Sequence, residues 1–256
     1  MVKKKENPTR RVGRSSVKQK EKIADRTIFC FCDSEFEKDW ISVNLLFSYN
    51  NIKRHYIAFN NKYDCQKAFS IAQEDKSLTP IIPDCSPFET ALKLFQKEIR
   101  GQIKRVYFSY FYSSKDLEYA FGWELVGDAW KAGRGDADAK DKLIRNRNTR
   151  GKLTVCDIPI HIKDMSGFIA GSLKQLAAQQ GVPMKAKDSL DSYKSCMSRA
   201  LIDCPETFVQ YAKEDVEVLE MIWENKVKNT NEVVEKLTGE KDYFNYDNLP
   251  MTTGSL

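Results

Sequence analysis

The sequence predicts an α/β fold in which a mixed β-sheet, antiparallel in its opening strands and parallel afterwards, is flanked by helices. Two observations lead to this prediction. The ordered part of the chain opens with short apolar runs rich in β-forming residues, and segments with helical spacing follow between and after further strand-like runs. A sheet covered by helices has this order of elements: strands first, then a helix that crosses over, another strand and closing helices.

The length and charge of the chain bound its organisation. A chain of 256 residues with 41% hydrophobic residues is long enough for one substantial core. Its formal charge of +5 is unevenly placed, because lysines and arginines crowd residues 1–25 and the remainder is close to neutral. That segment has almost no large apolar groups and is predicted to be a disordered basic arm. The arm is interpreted as a solubilising tail, a phosphate-attracting segment or an organellar targeting peptide.

The cysteines and the apolar runs bear on the compartment. The cysteines number seven, an odd count, and include no C-x-x-C pair of the kind that binds zinc. Cys30 and Cys32 alternate along a predicted strand, so both are expected to pack in the core. No apolar run reaches the ~18 residues of a membrane-spanning helix. These features favour a soluble protein of a reducing intracellular compartment, cytoplasm or nucleoid, and leave organellar or viral origin open.

The predicted elements begin at Thr27, where the run TIFCFCDSEF forms the first strand. Strand-like runs at 41–49 and 55–59, on either side of the turn residues Asn50 and Asn51, complete a three-stranded antiparallel meander. The other predicted elements are helices at 87–99, 115–125, 169–180 and 206–226, and strands at 105–112 and 153–163.

One polar stretch, residues 127–151, interrupts this pattern. It contains glycines and many lysines and arginines, and it is interpreted as an inserted loop or short helix. The stretch is either a solvated face or a basic flap that guides a nucleic-acid strand.

Two acidic residues, Asp33 and Glu35, stand at the end of the first predicted strand. Because side chains alternate along a strand, both project from the same face, close enough to share one cation. Two carboxylates ~4 Å apart repel by roughly 4 kcal/mol at an effective dielectric near 20. A bound cation is therefore expected there, and a solvated strand end is the alternative.

A second pair, Tyr211 and Asp215, lies in the last predicted helix. Residues four apart on a helix lie one above the other, here beside the apolar stripe of the helix. A phenol beside a carboxylate can hold one water molecule together with it. The alternative is an ordinary amphipathic helix with a solvated charge.

A D-x-E strand near the start and a Y-x-x-x-D helix near the end resemble the DEDDy exonucleases of the RNase H-like superfamily. That family has another Asp at the start of the helix that follows an intermediate strand. In RVYFSYFYSSKDLEYAFGW this position is matched by Asp116, for which a helix-capping role is the alternative. Tyr112 replaces the Asn that the family carries four residues before this Asp.

The segment HIKDMSGFIAGSLKQLAAQQGVPMK resembles the exonuclease domains of family B DNA polymerases, especially the protein-primed ones. In these domains a strand that ends in Asp, here Asp164, leads to a helix bearing S-L-x-x-L-A. A lysine after that helix assists catalysis in the family, and Lys185 and Lys187 are both candidates. The exonuclease domain is thus predicted at residues 26–246, and residues 247–256 resemble the start of a polymerase module.

The resemblance implies a metal-dependent 3′→5′ exonuclease in which Asp33, Glu35, Asp116 and Asp215 hold two divalent cations, Mg²⁺ or Mn²⁺. It implies that Tyr211 orients the nucleophilic water. The implied substrate is the 3′ end of single-stranded DNA, in proofreading beside a polymerase module or another replication protein. An RNA exonuclease of the same superfamily and a catalytically silent nucleic-acid-binding or protein-binding module are the alternatives.

Contacts with the terminal nucleotides are expected from aromatic side chains, because base stacking contributes roughly 1–3 kcal/mol per base. The aromatic candidates near the motifs are Phe36, Trp40, Tyr110, Tyr112 and Phe168, and packing in the core is the alternative for each of them. The predicted substrate-binding set joins two of them to the polar residues named above: Phe36, Tyr112, Asp164, Lys185 and Lys187.

Overall fold

The computed structural model describes residues 27–99, 103–134, 143–144, 150–168, 171–184, 188–242 and 244. The predicted basic arm at 1–25 and the predicted polymerase-like tail at 247–256 lie outside the described residues. None of the helices described is both long enough and apolar enough to span a membrane.

The described residues form eight strands and seven α-helices. The strands are β1 (Thr27–Phe36), β2 (Trp40–Tyr49), β3 (Ile52–Phe59), β4 (Leu78–Ile81), β5 (Arg105–Tyr110), β6 (Leu143–Ile144), β7 (Arg150–Val155) and β8 (Ile158–Asp164). The helices are α1 (Gln66–Glu74), α2 (Pro87–Ile99), α3 (Ser114–Phe121), α4 (Trp123–Gly133), α5 (Leu173–Gln179), α6 (Met197–Asp203) and α7 (Pro205–Thr238). Two short 3-10 helices cover Met165–Phe168 and Asp191–Tyr193.

All eight strands belong to one sheet, in the order β4-β3-β2-β1-β5-β8-β7-β6. The first three strands form an antiparallel meander, and β1, β5 and β8 run parallel to one another in the centre. This is the predicted mixed α/β sheet, and its arrangement is compatible with an RNase H-like fold. The two edges are short strands, since β4 has four residues including Pro80 and β6 has two.

Helices cover both faces of the sheet. One face packs against α2, α3 and α4, and its buried residues include Cys30 and Cys32, which confirms the prediction that these cysteines belong to the core. The other face carries two further apolar clusters, in which Phe31 packs with Trp223 of α7, and Phe59 packs with residues of α1, α6 and the start of α7. Helix α7 therefore closes the face on which Asp33 and Glu35 project.

Several predicted elements differ in their extent: the strand predicted at 55–59 begins at Ile52, the strand at 105–112 ends at Tyr110, and the helix at 169–180 is α5 at Leu173–Gln179. Three further differences have a physical reason. The helix predicted at 115–125 ends at Phe121, because Gly122 adopts a positive φ of 88°, and α4 then continues into the predicted polar insertion with Val126 and Ala129 buried. The helix predicted at 206–226 continues to Thr238. Its last turns are largely exposed and therefore have no apolar stripe that the sequence could reveal.

The third difference is at 153–163, where the prediction of one strand was wrong. The segment lies in the hairpin of β7 and β8, which turns at Cys156 and Asp157 with φ values of 50° and 61°. Two positive φ values match the twist of a two-residue hairpin, a turn that usually contains Gly or Asn. The absence of those residues explains why the turn was not predicted.

His55 in β3 is a buried polar residue on the face that α7 covers. Neither ring nitrogen has a hydrogen-bond partner among the described residues. Burial, and next the positive charge of Lys213, lowers the pKa of His55 from 6.5 to about 3, while Asp75 acts in the opposite direction. The folded protein therefore keeps this imidazole neutral at a pH where the unfolded chain binds a proton.

Folding stability is expected to fall by about 2 kcal/mol between pH 6.5 and pH 5. A depressed folded-state pKa gives stability that is present above the unfolded pKa and is lost as the pH falls, at ~1.4 kcal/mol per pH unit. Urea unfolding at pH 7.5, 6.5 and 5 measures the effect. The His55→Leu variant should lose this part of the pH dependence, and an unchanged slope in that variant would contradict the explanation.

Candidate metal centre

Three carboxylates from opposite ends of the described chain meet at one place. Asp33 and Glu35 of β1 and Asp215 of α7 each offer one oxygen atom, and these atoms all lie within 4.8 Å of one another. Asp215 is 1% exposed, Glu35 is 9% exposed and Asp33 is half-buried, so the group lies at the border between the core and the solvent. The structure thus brings the D-x-E strand and the Y-x-x-x-D helix together.

The local structure fixes both elements at this place. Strand β1 runs through the middle of the sheet, and its apolar residues Ile28, Cys30 and Cys32 are fully buried, which anchors the acidic end of the strand. Helix α7 packs against β1 and β2 through an apolar stripe that includes Val216 and Leu219. Asp215 stands four residues before Leu219 on the same face of the helix, so the packing of the stripe turns this carboxylate toward the sheet.

The fourth predicted carboxylate, Asp116, lies in the first turn of α3 and is 2% exposed. Its carboxylate accepts a hydrogen bond from the hydroxyl of Ser34. Burial, followed by the negative charge of Asp33, raises the pKa of Asp116 well above its ordinary value, and Asp164 adds to this rise while the Ser34 hydroxyl opposes it. Asp116 stands outside the group of three but within the electrostatic reach of Asp33.

Ser34 was not predicted from the sequence as a site residue. It is the middle residue of the D-x-E triplet, so period-two alternation places it on the opposite face from Asp33 and Glu35. From that face its hydroxyl reaches the carboxylate of Asp116. The triplet therefore accounts for three of the four carboxylates, since its outer residues supply two of them and its middle residue holds Asp116 by a hydrogen bond.

Asp164, at the end of β8, holds the turn that leads to α3. Its Oδ1 atom accepts the backbone N–H of Tyr112 at 3.0 Å and that of Ser166 at 2.8 Å. Tyr112 has a left-handed φ of 70° and a side chain that is 78% exposed. The predicted substrate-binding residue Asp164 is thus buried against protein backbone, whereas the ring of Tyr112 projects into solvent.

The other predicted site residues fall into three groups. Tyr211 is buried on α7, one helical turn before Asp215. Phe36 is 37% exposed, and its ring centroid lies 5.5 Å from that of Tyr119. Lys185 and Lys187 lie outside the described residues.

A buried lysine, Lys163, was also missed by the sequence reasoning. Its ammonium lies 4.9 Å from the ring centroid of Trp223 and 5.2 Å from that of Tyr107. The faces of aromatic rings attract a cation, so this contact between β8 and α7 stabilises the docking of the helix. No periodicity of apolar residues could have indicated a charged residue at such a position.

The residues present fit a hard divalent cation. Carboxylate oxygens are the ligands that Mg²⁺ and Mn²⁺ prefer in proteins. Three carboxylates within 4.8 Å, with a fourth close to one of them, repel one another unless a cation or protons lie between them. The donor set therefore fits the predicted divalent cations.

Comparisons of the chain with protein-family models, with curated proteins and with solved structures gave no match.

Proposed function

We propose that the protein is a 3′→5′ exonuclease that hydrolyses the terminal phosphodiester bonds of single-stranded DNA with two divalent cations, Mg²⁺ or Mn²⁺. We place it in proofreading, beside a family B DNA polymerase. One observation carries the proposal. Oxygen atoms of Asp33, Glu35 and Asp215 lie within 4.8 Å of one another, although these residues belong to elements from opposite ends of the described chain.

The position of Asp33 supports a site for two cations. It belongs to the group of three with Glu35 and Asp215, and its charge also acts on Asp116. Asp33 would therefore be the ligand shared by the two halves of the site. Bound cations lower the pKa of a coordinated water and neutralise a leaving oxygen.

The chain's own residues would orient the reactants. Tyr211 stands one helical turn before Asp215, so its hydroxyl and the carboxylate can hold one water molecule between them. Phe36 directly follows Glu35 and Tyr112 stands four residues before Asp116, and the exposed rings of both offer faces on which bases can stack. Stacking recognises no particular base, which suits an enzyme that removes any terminal nucleotide.

A degradation assay tests the proposal. A 5′-labelled single-stranded DNA is incubated with the protein and Mg²⁺, and a ladder that shortens from the 3′ end is expected. Chelation of the metal, or phosphorothioate linkages at the 3′ end, should stop the shortening. RNA of the same sequence, run in parallel, decides between a DNA exonuclease and an RNA exonuclease.

A pair of variants connects that activity to the site. Asp33→Asn should abolish the ladder, because it removes the carboxylate between the two halves of the site. Asp128→Asn is the matched control, since that carboxylate lies on the exposed surface of α4. A ladder from Asp33→Asn equal to that of the wild type would refute the assignment of the activity to this site. An inactive wild type would refute the proposal and favour the catalytically silent module.

A further inference from the structure

Two polar side chains beside the carboxylates are fully buried and have no hydrogen-bond partner among the described residues. They are Asn44, for both atoms of its amide, and Ser42, for its hydroxyl. Buried polar atoms are paired in the great majority of cases, and an unpaired one costs about 1–3 kcal/mol. Both residues therefore lower the stability of the fold as it stands.

The register of the sheet places these residues next to the D-x-E motif. Asn44 of β2 is the antiparallel partner of Asp33, and Ser42 is the partner of Glu35. Directly opposed residues project from the same face with Cβ atoms roughly 4.5–5.5 Å apart. The unpaired amide and hydroxyl thus adjoin the two carboxylates, on the face that receives Asp215.

We propose that Asn44 and Ser42 are positioning residues of the metal centre, which donate hydrogen bonds to the Asp33 and Glu35 carboxylates when cations bind. The inference rests on the proposed function. A carboxylate that coordinates a cation through one lone pair keeps other lone pairs for a donor, and such a bond fixes its orientation.

The chemistry of the two side chains suits this role. An amide and a hydroxyl donate without adding charge, so they orient the carboxylates without competing with a cation. A lysine or arginine at either position would neutralise a carboxylate and lower the affinity for metal. A protein whose polar groups are arranged for a ligand is less stable while the ligand is absent, and the unpaired atoms of Asn44 and Ser42 are such groups.

His55 provides a matched control. It lies on the same face and is also buried without a partner, but its neighbour in β2 is Leu46, which in turn opposes Phe31. An apolar pair thus separates it from the carboxylates. The His55→Leu variant removes an unpaired buried polar group at a position that does not adjoin the D-x-E motif.

The test measures two quantities on the full chain. The first is the melting temperature in the presence of a chelator, and the second is Mn²⁺ affinity by isothermal titration. Asn44→Leu and Ser42→Ala are expected to melt at or above the wild-type temperature and to bind Mn²⁺ about 10–100-fold more weakly. His55→Leu should bind Mn²⁺ as the wild type does, and Asn44→Thr, which restores a donor, should recover part of the affinity.

The outcomes separate this inference from the proposed function. If the wild type binds Mn²⁺ and both Asn44→Leu and Ser42→Ala bind it equally well, the positioning role is overturned while the metal centre stands. If His55→Leu weakens binding as much as Asn44→Leu does, the effect is a general one of the core and the role is also overturned. If the wild type itself binds no Mn²⁺, the metal centre is refuted, and this inference falls with it.

Discussion

The Asp215→Asn variant is expected to lose at least about 10³-fold in exonuclease turnover, because a ligand that stabilises charge in the transition state is removed. In the absence of metal it is expected to be more stable than the wild type. Its carboxylate is buried within 4.8 Å of oxygens of Asp33 and Glu35, and like charges at that separation repel by roughly 3 kcal/mol per pair at an effective dielectric of 20. Asparagine keeps the shape and removes the charge.

Thermal unfolding in a chelator and then in Mn²⁺ measures the second effect. Each kcal/mol shifts the melting temperature of a domain of this size by roughly 2–4 °C. Mn²⁺ should raise the melting temperature of the wild type and leave that of Asp215→Asn almost unchanged. Glu232→Gln is the control, since Glu232 lies on the exposed end of the same helix. Lower stability of Asp215→Asn without metal would contradict the repulsion.

The Asp164→Ala variant is expected to lose about 3 kcal/mol of folding stability. It removes the acceptor of two backbone N–H groups, those of Tyr112 and Ser166, and a hydrogen bond to a charged group contributes about 1.5–3 kcal/mol. It also releases the left-handed turn that leads to Asp116. Asp164→Asn keeps an acceptor and should cost much less. Urea unfolding of the two variants measures the difference.

A second substitution tests whether the turn is the cause. Glycine adopts positive φ without steric strain, so Tyr112→Gly should restore part of the stability of Asp164→Ala. The same substitution in the wild type should have a smaller effect, because Asp164 already holds the turn. Equal effects in the two backgrounds would show that Asp164 and the conformation of Tyr112 are independent.

Local patterns predicted the centre of the fold well. The meander of β1, β2 and β3 follows from dense β-forming runs and the turn at Asn50 and Asn51, and α2 matches its predicted bounds at 87–99. Period-two alternation put Asp33 and Glu35 on one face, as the structure has them. That Asp215 would meet them depended on the family resemblance, because spacing within one helix gives no information about its partner in space.

Features that depend on tertiary packing were not predicted. Helices α1 and α6 and strand β4 are short, and their apolar residues did not form a pattern long enough to recognise. Asn44 and Ser42 lie within a strand-like run and were not predicted as site residues. Their position beside Asp33 and Glu35 depends on the register between β1 and β2. A one-residue change in that register would have moved every side chain to the other face, and no single strand encodes it.

The short outer strands of the sheet have a practical consequence for every unfolding experiment above. An exposed strand edge is a template on which a second chain can aggregate, and proline or brevity in that strand prevents it. The β4 edge has Pro80 within its four residues, and proline has no backbone N–H for a neighbouring strand to bond. This edge of the described sheet is thus a poor template for a second molecule, and melting temperatures are expected to be independent of protein concentration.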